Sequence, residues 1–251
     1  MTFTKHVRWG DDAAAWEVAS LRWLADAEPH DGAPVVRVLA HDGATIELER
    51  LDPARPTRTD AEAFGRALAA THASGADGWC APPPGCDGEG WIGRQRQRMA
   101  PTATWGEGFA EQRIRPFVRA AVDAGHLEPR GAAVVDAVCD RIAAGAFDDD
   151  RAPARIHGDL WSGNVLWTPT GAVLIDPAAH GGHPLTDLAM LALFGLPHLD
   201  TVLDAHAEAA VLGDGWRELL GLHQLHPLAV HAVSHGPAYG DELVAIARRY
   251  A

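Results

Sequence analysis

The sequence is poor in cysteine and in long apolar runs, and each shortage excludes a class of protein. Three cysteines (Cys80, Cys86 and Cys139) are too few, and odd in number, for a disulfide framework, which favours a reducing cytoplasm. No apolar run of about 18 residues occurs, so we expect no membrane span. The first residues lack the apolar stretch of a secretory signal.

Basic residues are also scarce, at 21 against 34 acidic ones, which gives a formal net charge of −13. Nucleic-acid binding is therefore not expected, because phosphate contacts need clustered arginine and lysine. An acidic surface suits an amine-bearing substrate, although it mainly favours solubility. The 251 residues, 47% of them hydrophobic, can bury a sizeable core as one body or two unequal lobes.

Lysine is the rarest cation, since Lys5 is the only one and every other basic residue is arginine. An ammonium group is a compact point charge that suits a single phosphate oxygen. Lys5 lies in a predicted strand, Thr2 to Val7, ahead of a helix predicted to be capped by Asp11 or Asp12. Chance alone could also leave a lone lysine.

Glu17 falls on the apolar stripe of that helix, which is predicted to end near Asp26. A carboxylate facing inward is costly unless it is paired. A strand lysine paired with a helix glutamate holds nucleotide phosphates in kinases, so a Lys5–Glu17 pair is predicted. The alternative is that Glu17 lies at the edge of the stripe and reaches solvent.

The richest stretch is Arg155-Ile-His-Gly-Asp-Leu-Trp-Ser-Gly-Asn-Val-Leu-Trp167, followed by Val173-Leu-Ile-Asp-Pro177. Short predicted strands bring Asp159, Asn164 and Asp176 to neighbouring strand ends. Asp159 could accept the proton of a substrate hydroxyl, while Asn164 and Asp176 offer hard oxygen ligands to Mg²⁺. Any one of them could simply form a turn. The three in this order favour phosphoryl transfer.

These motifs, His157-Gly-Asp-Leu-Trp-Ser-Gly-Asn164 and Asp176-Pro-Ala178 with Asp187-Leu-Ala-Met190, resemble the fructosamine kinase (ketosamine kinase) family. That family belongs to the protein-kinase-like and aminoglycoside-phosphotransferase superfamily. The resemblance implies an α+β, protein-kinase-like fold with two lobes. Residues 1–51 would form a reduced N-terminal β-lobe without a Gly-rich loop, and residues 52–251 a mostly helical catalytic lobe.

The resemblance also implies the reaction, which is transfer of a phosphoryl group from ATP, with Mg²⁺, to the 3-hydroxyl of a fructosamine or related ketosamine. Asp159 would be the catalytic base, and Asn164 and Asp176 would hold the metal. The remaining implied roles are nucleotide binding by Lys5 and Glu17, adenine contact by the hinge residues Glu49, Arg50 and Leu51, and support of the catalytic loop by His157 and Asp187.

The sequence departs from the family pattern at several points. Kinase-like folds place two strands and a Gly-rich loop before the lysine strand, whereas this sequence begins at that strand. Either the true start lies upstream, or the phosphates are covered less completely. Pro184-Leu185 stands where the family commonly has Arg-Glu, and Arg98 stands where asparagine is usual.

Three other functions remain open. A kinase for another amine-bearing alcohol, such as an aminoglycoside or a choline-like amine, would share the same core residues. A nucleotide-binding protein without catalysis would explain the missing Gly-rich loop. A metallohydrolase built from His157, Asp159, Asp176 and His180 ranks last, because it leaves Asn164 unexplained.

Other local patterns give predictions about individual elements. Thr59 to Glu62 predicts a capping box at the start of a helix that ends at His72. Residues 75–90, rich in glycine and proline, predict a loop. Trp91 and Trp105 are predicted to be exposed, where they could stack on a sugar or cover the core. Further helices are predicted at 129–145, 188–194, 199–212, 216–234 and 242–250, with Asp187 as a cap.

Overall fold

The N-terminal part of the chain forms a small sheet in this computed structural model, which describes residues 2–251. Strands β1 (Thr2–His6), β2 (Val38–Asp42) and β3 (Thr45–Glu49) pair antiparallel in the order β1-β3-β2. Helix α1 (Asp11–Ala25) packs against this sheet. Strand β1 was predicted from Thr2 to Val7, and it ends one residue earlier.

The beginning of α1 differs from the prediction. Gly10 occupies the N-cap position and has no side chain to offer, so neither Asp11 nor Asp12 is the cap. Both aspartates lie in the first turn, where their charge interacts favourably with the helix dipole. The buried face of α1 carries Glu17 among apolar side chains, so the glutamate faces inward and does not reach out to solvent.

The rest of the chain is mainly helical, with short two-stranded pieces between the helices. The helices are α2 (Arg58–Ala73), α3 (Trp105–Gly108), α4 (Arg115–Asp123), α5 (Pro129–Ala143), α6 (Pro184–Phe194), α7 (Leu199–Ala209), α8 (Leu220–His223), α9 (Leu225–His235) and α10 (Pro237–Ala247). The strands are β4 (Gly88–Ile92), β5 (Gln95–Met99), β6 (Ala154–Ile156), β7 (Val165–Thr168), β8 (Gly171–Leu174) and β9 (His180–Gly182). They pair as the hairpins β4–β5 and β7–β8 and as β6 with β9.

Two hydrophobic clusters form the core. The first joins the N-terminal sheet and α1 to α2, the β7–β8 hairpin and α6. The second lies among the later helices. The backbone also links the sheet to β8, because the Val36 amide donates to Leu174 and the Leu174 amide donates to Pro34. The lysine strand is thereby fixed relative to the strand that precedes Asp176.

Several local predictions were wrong. The capping box at α2 is formed by Thr57 and Asp60, two residues before the predicted one. The predicted loop ends in the β4–β5 hairpin, whose first strand begins at Gly88. Trp105 is buried and stacks on Phe109, because the helices of the second cluster close over it. The predicted helix at 216–234 is broken into a 3₁₀ turn followed by α8 and α9.

Among residues 2–251, no helix combines the length and the apolar character that a membrane span requires.

Helices α2 and α7 approach each other closely at Gly65. A β-carbon at this position would lie 2.9 Å from the Ala205 β-carbon and would overlap the Val202 carbonyl oxygen. Glycine is therefore required by the contact between the helices, although it lowers intrinsic helix stability.

We predict that Gly65→Ala destabilises the protein. Helix propensity alone would favour alanine by up to about 1 kcal/mol, but forcing a methyl group into a packed contact typically costs about 1–3 kcal/mol. Thermal unfolding should show a lower midpoint for this variant. Gly213→Ala is the matched control, because a β-carbon there meets nothing within 4 Å. A midpoint for Gly65→Ala at or above that of the unaltered protein would contradict the prediction.

Candidate active site

The loop between β6 and β7 turns sharply at Gly158. Its φ of +80° is unfavourable for other residues, and a β-carbon there would lie 3.0 Å from His180 Nδ1 and overlap the Ala178 carbonyl oxygen. Glycine thus lets the loop pass close to the segment after β8. The turn brings Asp159 to the mouth of a cavity.

The carboxylate of Asp187 accepts two backbone hydrogen bonds from this turn. Its Oδ2 accepts the His157 amide at 2.8 Å, and its Oδ1 accepts the Gly158 amide at 2.9 Å. Burial opposes the charge of this carboxylate, but the hydrogen bonds from His72 and from the loop keep the pKa of Asp187 below its usual range. The N-cap of α6 is His183, so Asp187 braces the loop and is not the predicted helix cap.

His72 extends the brace into α2 and α7. Its Nε2 lies 3.0 Å from Asp187 Oδ2, and its Nδ1 lies 2.9 Å from His206 Nε2. The sequence gave no signal for these contacts, because the partners of His72 are 115 and 134 residues away along the chain. His206 was not singled out at all.

His157 organises the loop and does not face the cavity as a base. Its Nε2 lies 2.9 Å from the Ile175 carbonyl oxygen, so this nitrogen is the donor. Its Nδ1 accepts the Asp159 amide at 3.2 Å. Burial lowers the pKa of His157, which suits the neutral ring that these two bonds require.

Asp159, Asn164 and Asp176 lie together in the lining of the cavity. The Asn164 amide nitrogen lies 2.7 Å from the Asp159 carbonyl oxygen, 3.3 Å from Asp159 Oδ2 and 3.3 Å from the Asp176 carbonyl oxygen. With the nitrogen engaged in this way, the amide oxygen of Asn164 points away from these three acceptors. The structure therefore brings together the three residues that the sequence predicted would converge.

The environment of Asp159 favours a proton acceptor at neutral pH. Burial raises the pKa of Asp159, the charge of Asp176 raises it further, and the value reaches about 7. The hydrogen bond from Asn164 acts in the opposite direction. A carboxylate with a pKa near the working pH is both available as a base and basic enough to remove a proton.

Lys5 bridges two carboxylates across the cavity. Its Nζ lies 2.8 Å from both oxygens of Glu17 and 2.9 Å from Asp176 Oδ1. Burial alone would lower the pKa of Lys5, but the charges of Asp176 and Glu17 outweigh it and raise the pKa. The strand and the helix thus present the lysine to the same space as the catalytic loop.

We call this space the nucleotide cavity, with a volume of about 410 Å³. The predicted site residues that line it are Lys5, Glu17, Asp159, Asn164 and Asp176. The predicted hinge residues lie outside this lining. Glu49 instead binds Arg37, and Leu51 packs against the first hydrophobic cluster. Adenine contact by Glu49, Arg50 and Leu51 remains a prediction.

A second space of about 540 Å³, which we call the aromatic cleft, opens on the other side of Asp159. Trp9, Asp159 and Trp161 line both spaces. The far wall of the cleft is formed by α9 and the start of α10, and its rim by the β4–β5 hairpin. The sequence gave no signal for Trp9 or for this wall, because their elements are distant along the chain.

The donor set beside Asp159 fits Mg²⁺. The amide oxygen of Asn164 is directed away from its hydrogen-bonded neighbours, and the Asp176 side chain is 44% exposed with only its Oδ1 held by Lys5. Hard oxygen ligands of this kind are those that Mg²⁺ prefers. The residues of the metallohydrolase alternative do not form a metal site. Ring nitrogens of His157 and His180 are already hydrogen-bonded to backbone carbonyl oxygens, and His180 also contacts Arg113.

Comparisons with solved structures identify the fold. An aminoglycoside phosphotransferase, APH(4)-Ia, crystallised with ADP and hygromycin B, superposes with a TM-score of 0.55 at 17% identity, over 94% of this chain and 84% of that one. At this identity the likeness concerns the fold alone. The predicted α+β, protein-kinase-like fold is confirmed.

Closer relatives share a narrower description. A structure from Thermobifida fusca, assigned as a fructosamine-3-kinase, has a TM-score of 0.89 and 45% identity, covering 98% of this chain and 84% of that chain. An Enterococcus faecium protein assigned as a ketoamine kinase is 28% identical over 203 residues, which are 80% of this chain and 70% of that protein. The sequence profile described as fructosamine kinase matches residues 13–250. The chain belongs to the fructosamine kinase family.

Proposed function

We propose that this protein transfers the γ-phosphoryl group of ATP to the 3-hydroxyl of a fructosamine or a related ketosamine. Family membership supports a phosphotransferase that acts on a hydroxyl group. The observation that carries the proposal is the position of Asp159, which lines both the nucleotide cavity and the aromatic cleft. A donor in one space and an acceptor in the other would meet at this carboxylate.

On the acceptor side, Asp159 would orient the hydroxyl and receive its proton as the oxygen attacks phosphorus. General-base assistance of this kind contributes roughly 10²–10⁴-fold. The carboxylate needs a fixed direction to do this, and the Gly158 turn and the Asp187 brace supply it. Holding both reactants in line is the larger part of catalysis in phosphoryl transfer.

On the donor side, Lys5 would bind phosphate oxygens while Glu17 keeps the ammonium group in place. Asn164 and Asp176 would hold Mg²⁺, which when bound neutralises charge on the β- and γ-phosphates. Lys5 and Asp176 bind each other at 2.9 Å. When Mg-ATP binds, Lys5 would therefore leave Asp176 for a phosphate oxygen, and Asp176 would leave Lys5 for the metal ion.

A cytoplasmic setting agrees with this chemistry. ATP is the proposed donor, and the three cysteines of the described chain are free thiols. We therefore infer an intracellular small-molecule kinase whose acceptor is a glycated amine.

We predict that Asp159→Asn removes turnover and leaves ATP binding intact. An amide cannot accept the hydroxyl proton, so kcat should fall by at least about 10²-fold. The measurement is ³¹P NMR of Mg-ATP with a fructosyl-amine acceptor, which follows formation of a sugar phosphate ester, combined with calorimetric titration of ATP.

The control for this variant is Asp204→Asn, which removes an exposed carboxylate on α7 that pairs with Arg217. It should retain full activity. Unchanged turnover in Asp159→Asn would contradict the role of Asp159. Absence of a phosphate ester with the unaltered protein and every ketosamine offered would contradict the proposed function itself.

The pKa of Asp159 also predicts the pH dependence of the reaction. Only the ionised carboxylate can accept a proton, and burial together with Asp176 raises its pKa to about 7. Below that pH the neutral acid predominates, so kcat/KM should fall tenfold for each unit of pH. The measurement is the rate between pH 5 and 9 with Mg-ATP and the acceptor both far below saturation, so that the profile reports the pKa of the ligand-free protein. A flat profile from pH 5 to 7 would contradict a base with this raised pKa.

A further inference from the structure

The aromatic cleft is larger than the sugar of a ketosamine requires. Its volume of about 540 Å³ lies within the range of sites that enclose a complete drug-sized molecule. The cleft should therefore also enclose the amine part of the acceptor. The side chains that line the cleft indicate the chemical character of this amine part.

One wall of the cleft is a continuous series of aromatic rings. Trp161 meets Phe194 with 6.4 Å between ring centroids, Phe194 meets His231 at 4.8 Å, and His231 meets Tyr239 at 5.1 Å. The series begins two residues after Asp159 and ends at the start of α10. Rings packed in this way present flat apolar faces to a ligand.

Two tryptophans that line the cleft, one in this series and one outside it, are unusually exposed. Trp161 is 41% exposed, and Trp9, which faces the same cleft from the N-terminal lobe, is 49% exposed. Large apolar groups that surround one concave space mark a binding site better than scattered exposed residues do. An apolar group of the acceptor would cover them.

The charges of the cleft are arranged at two positions. Among the described residues that line it, Asp159 is the one carboxylic acid and Arg94 the one arginine, and two histidines, His231 and His235, lie beside them. Asp159 is next to the reacting hydroxyl. Arg94 lies at the tip of the β4–β5 hairpin and donates to the Ser234 carbonyl oxygen near the end of α9. A guanidinium has five N–H donors, so others remain for a ligand.

A ketosamine made from an amino acid has a matching pattern. Three carbons separate its secondary ammonium group from the 3-hydroxyl, and the carbon on the other side of the nitrogen carries both the carboxylate and the side chain. With the hydroxyl at Asp159, the ammonium stays near that carboxylate, and the carboxylate of the ligand extends towards the rim. An aminoglycoside, which carries several cationic amines, finds only one carboxylate among the described lining residues.

We propose that the aromatic cleft selects ketosamines of free apolar amino acids, with Tyr239 and its neighbouring rings binding the side chain and Arg94 binding the α-carboxylate. This inference rests on the proposed function. Tyr239 and Arg94 are specificity-determining residues in this account, and neither takes part in the proton transfer.

Three acceptors with the same sugar test the proposal. Fructosyl-phenylalanine has both the ring and the carboxylate, fructosyl-glycine lacks the ring, and fructosyl-phenethylamine lacks the carboxylate. We expect kcat/KM to be about tenfold or more higher for the first than for either of the others, since groups of this size change binding by that order. The difference should lie in KM, because the reacting end of the acceptor is unchanged.

Two variants assign the two preferences. Arg94→Met keeps the apolar stem of the side chain and should abolish the advantage of fructosyl-phenylalanine over fructosyl-phenethylamine. Tyr239→Ala should abolish its advantage over fructosyl-glycine, whereas Tyr239→Phe should keep it. Arg98→Met is the matched control, because Arg98 is exposed on the same hairpin and is not among the described lining residues.

The outcomes separate this inference from the proposed function. Equal kcat/KM for all three acceptors, or preferences that survive in Arg94→Met and Tyr239→Ala, would overturn the inference and leave a ketosamine kinase. Failure of all three acceptors to react with Mg-ATP would overturn the proposed function, and the inference with it.

Discussion

The bridge from Lys5 to Glu17 and Asp176 is the interaction on which the proposed chemistry depends. It joins the first strand, the first helix and the segment after β8, which are up to 171 residues apart along the chain. Three carboxylates, those of Glu17, Asp159 and Asp176, face one cavity. Like charges this close are unfavourable without cations. Burial is the main cause of the raised pKa of Asp159, and the charge of Asp176 raises it further.

The same electrostatic arrangement suits a magnesium–nucleotide complex. In the proposed reaction Lys5 would offer positive charge to the phosphates, while Asp176 and the amide oxygen of Asn164 would offer oxygen to a cation. The ion pair between Lys5 and Asp176 satisfies both groups until those partners arrive. A site of this kind is pre-organised, because its charged groups are held by the fold before any ligand binds.

Pre-organisation of the catalytic loop depends on a buried network beneath it. Asp187 accepts two loop amides and is itself bound by His72, which contacts His206. The bonds among these buried groups favour one geometry, because breaking one would leave a further polar group unpaired, as His206 Nδ1 already is among the described residues. The packing of α2 against α7 at Gly65 brings the two histidines together. The position of Asp159 therefore depends on helices that never touch the substrate.

Much of the site could be predicted because its residues lie in short, ordered motifs. Asp159 and Asn164 share one loop, and the strand that precedes Asp176 pairs with the strand that follows Asn164. The inward position of Glu17 followed from helical spacing. The aromatic cleft, the His72–His206 contact and the β4–β5 hairpin were missed, since each depends on residues brought together only by tertiary packing. Trp105 was predicted to be exposed but is buried, because composition does not tell which tryptophan becomes buried.

The account is tested most directly by a structure of the protein with magnesium and a non-hydrolysable ATP analogue. We expect the Lys5 ammonium to leave Asp176 for a phosphate oxygen while it keeps Glu17, and the metal ion to contact both Asn164 and Asp176. The γ-phosphate should then face Asp159. A nucleotide bound outside this cavity, or a metal ion held by neither Asn164 nor Asp176, would contradict the account.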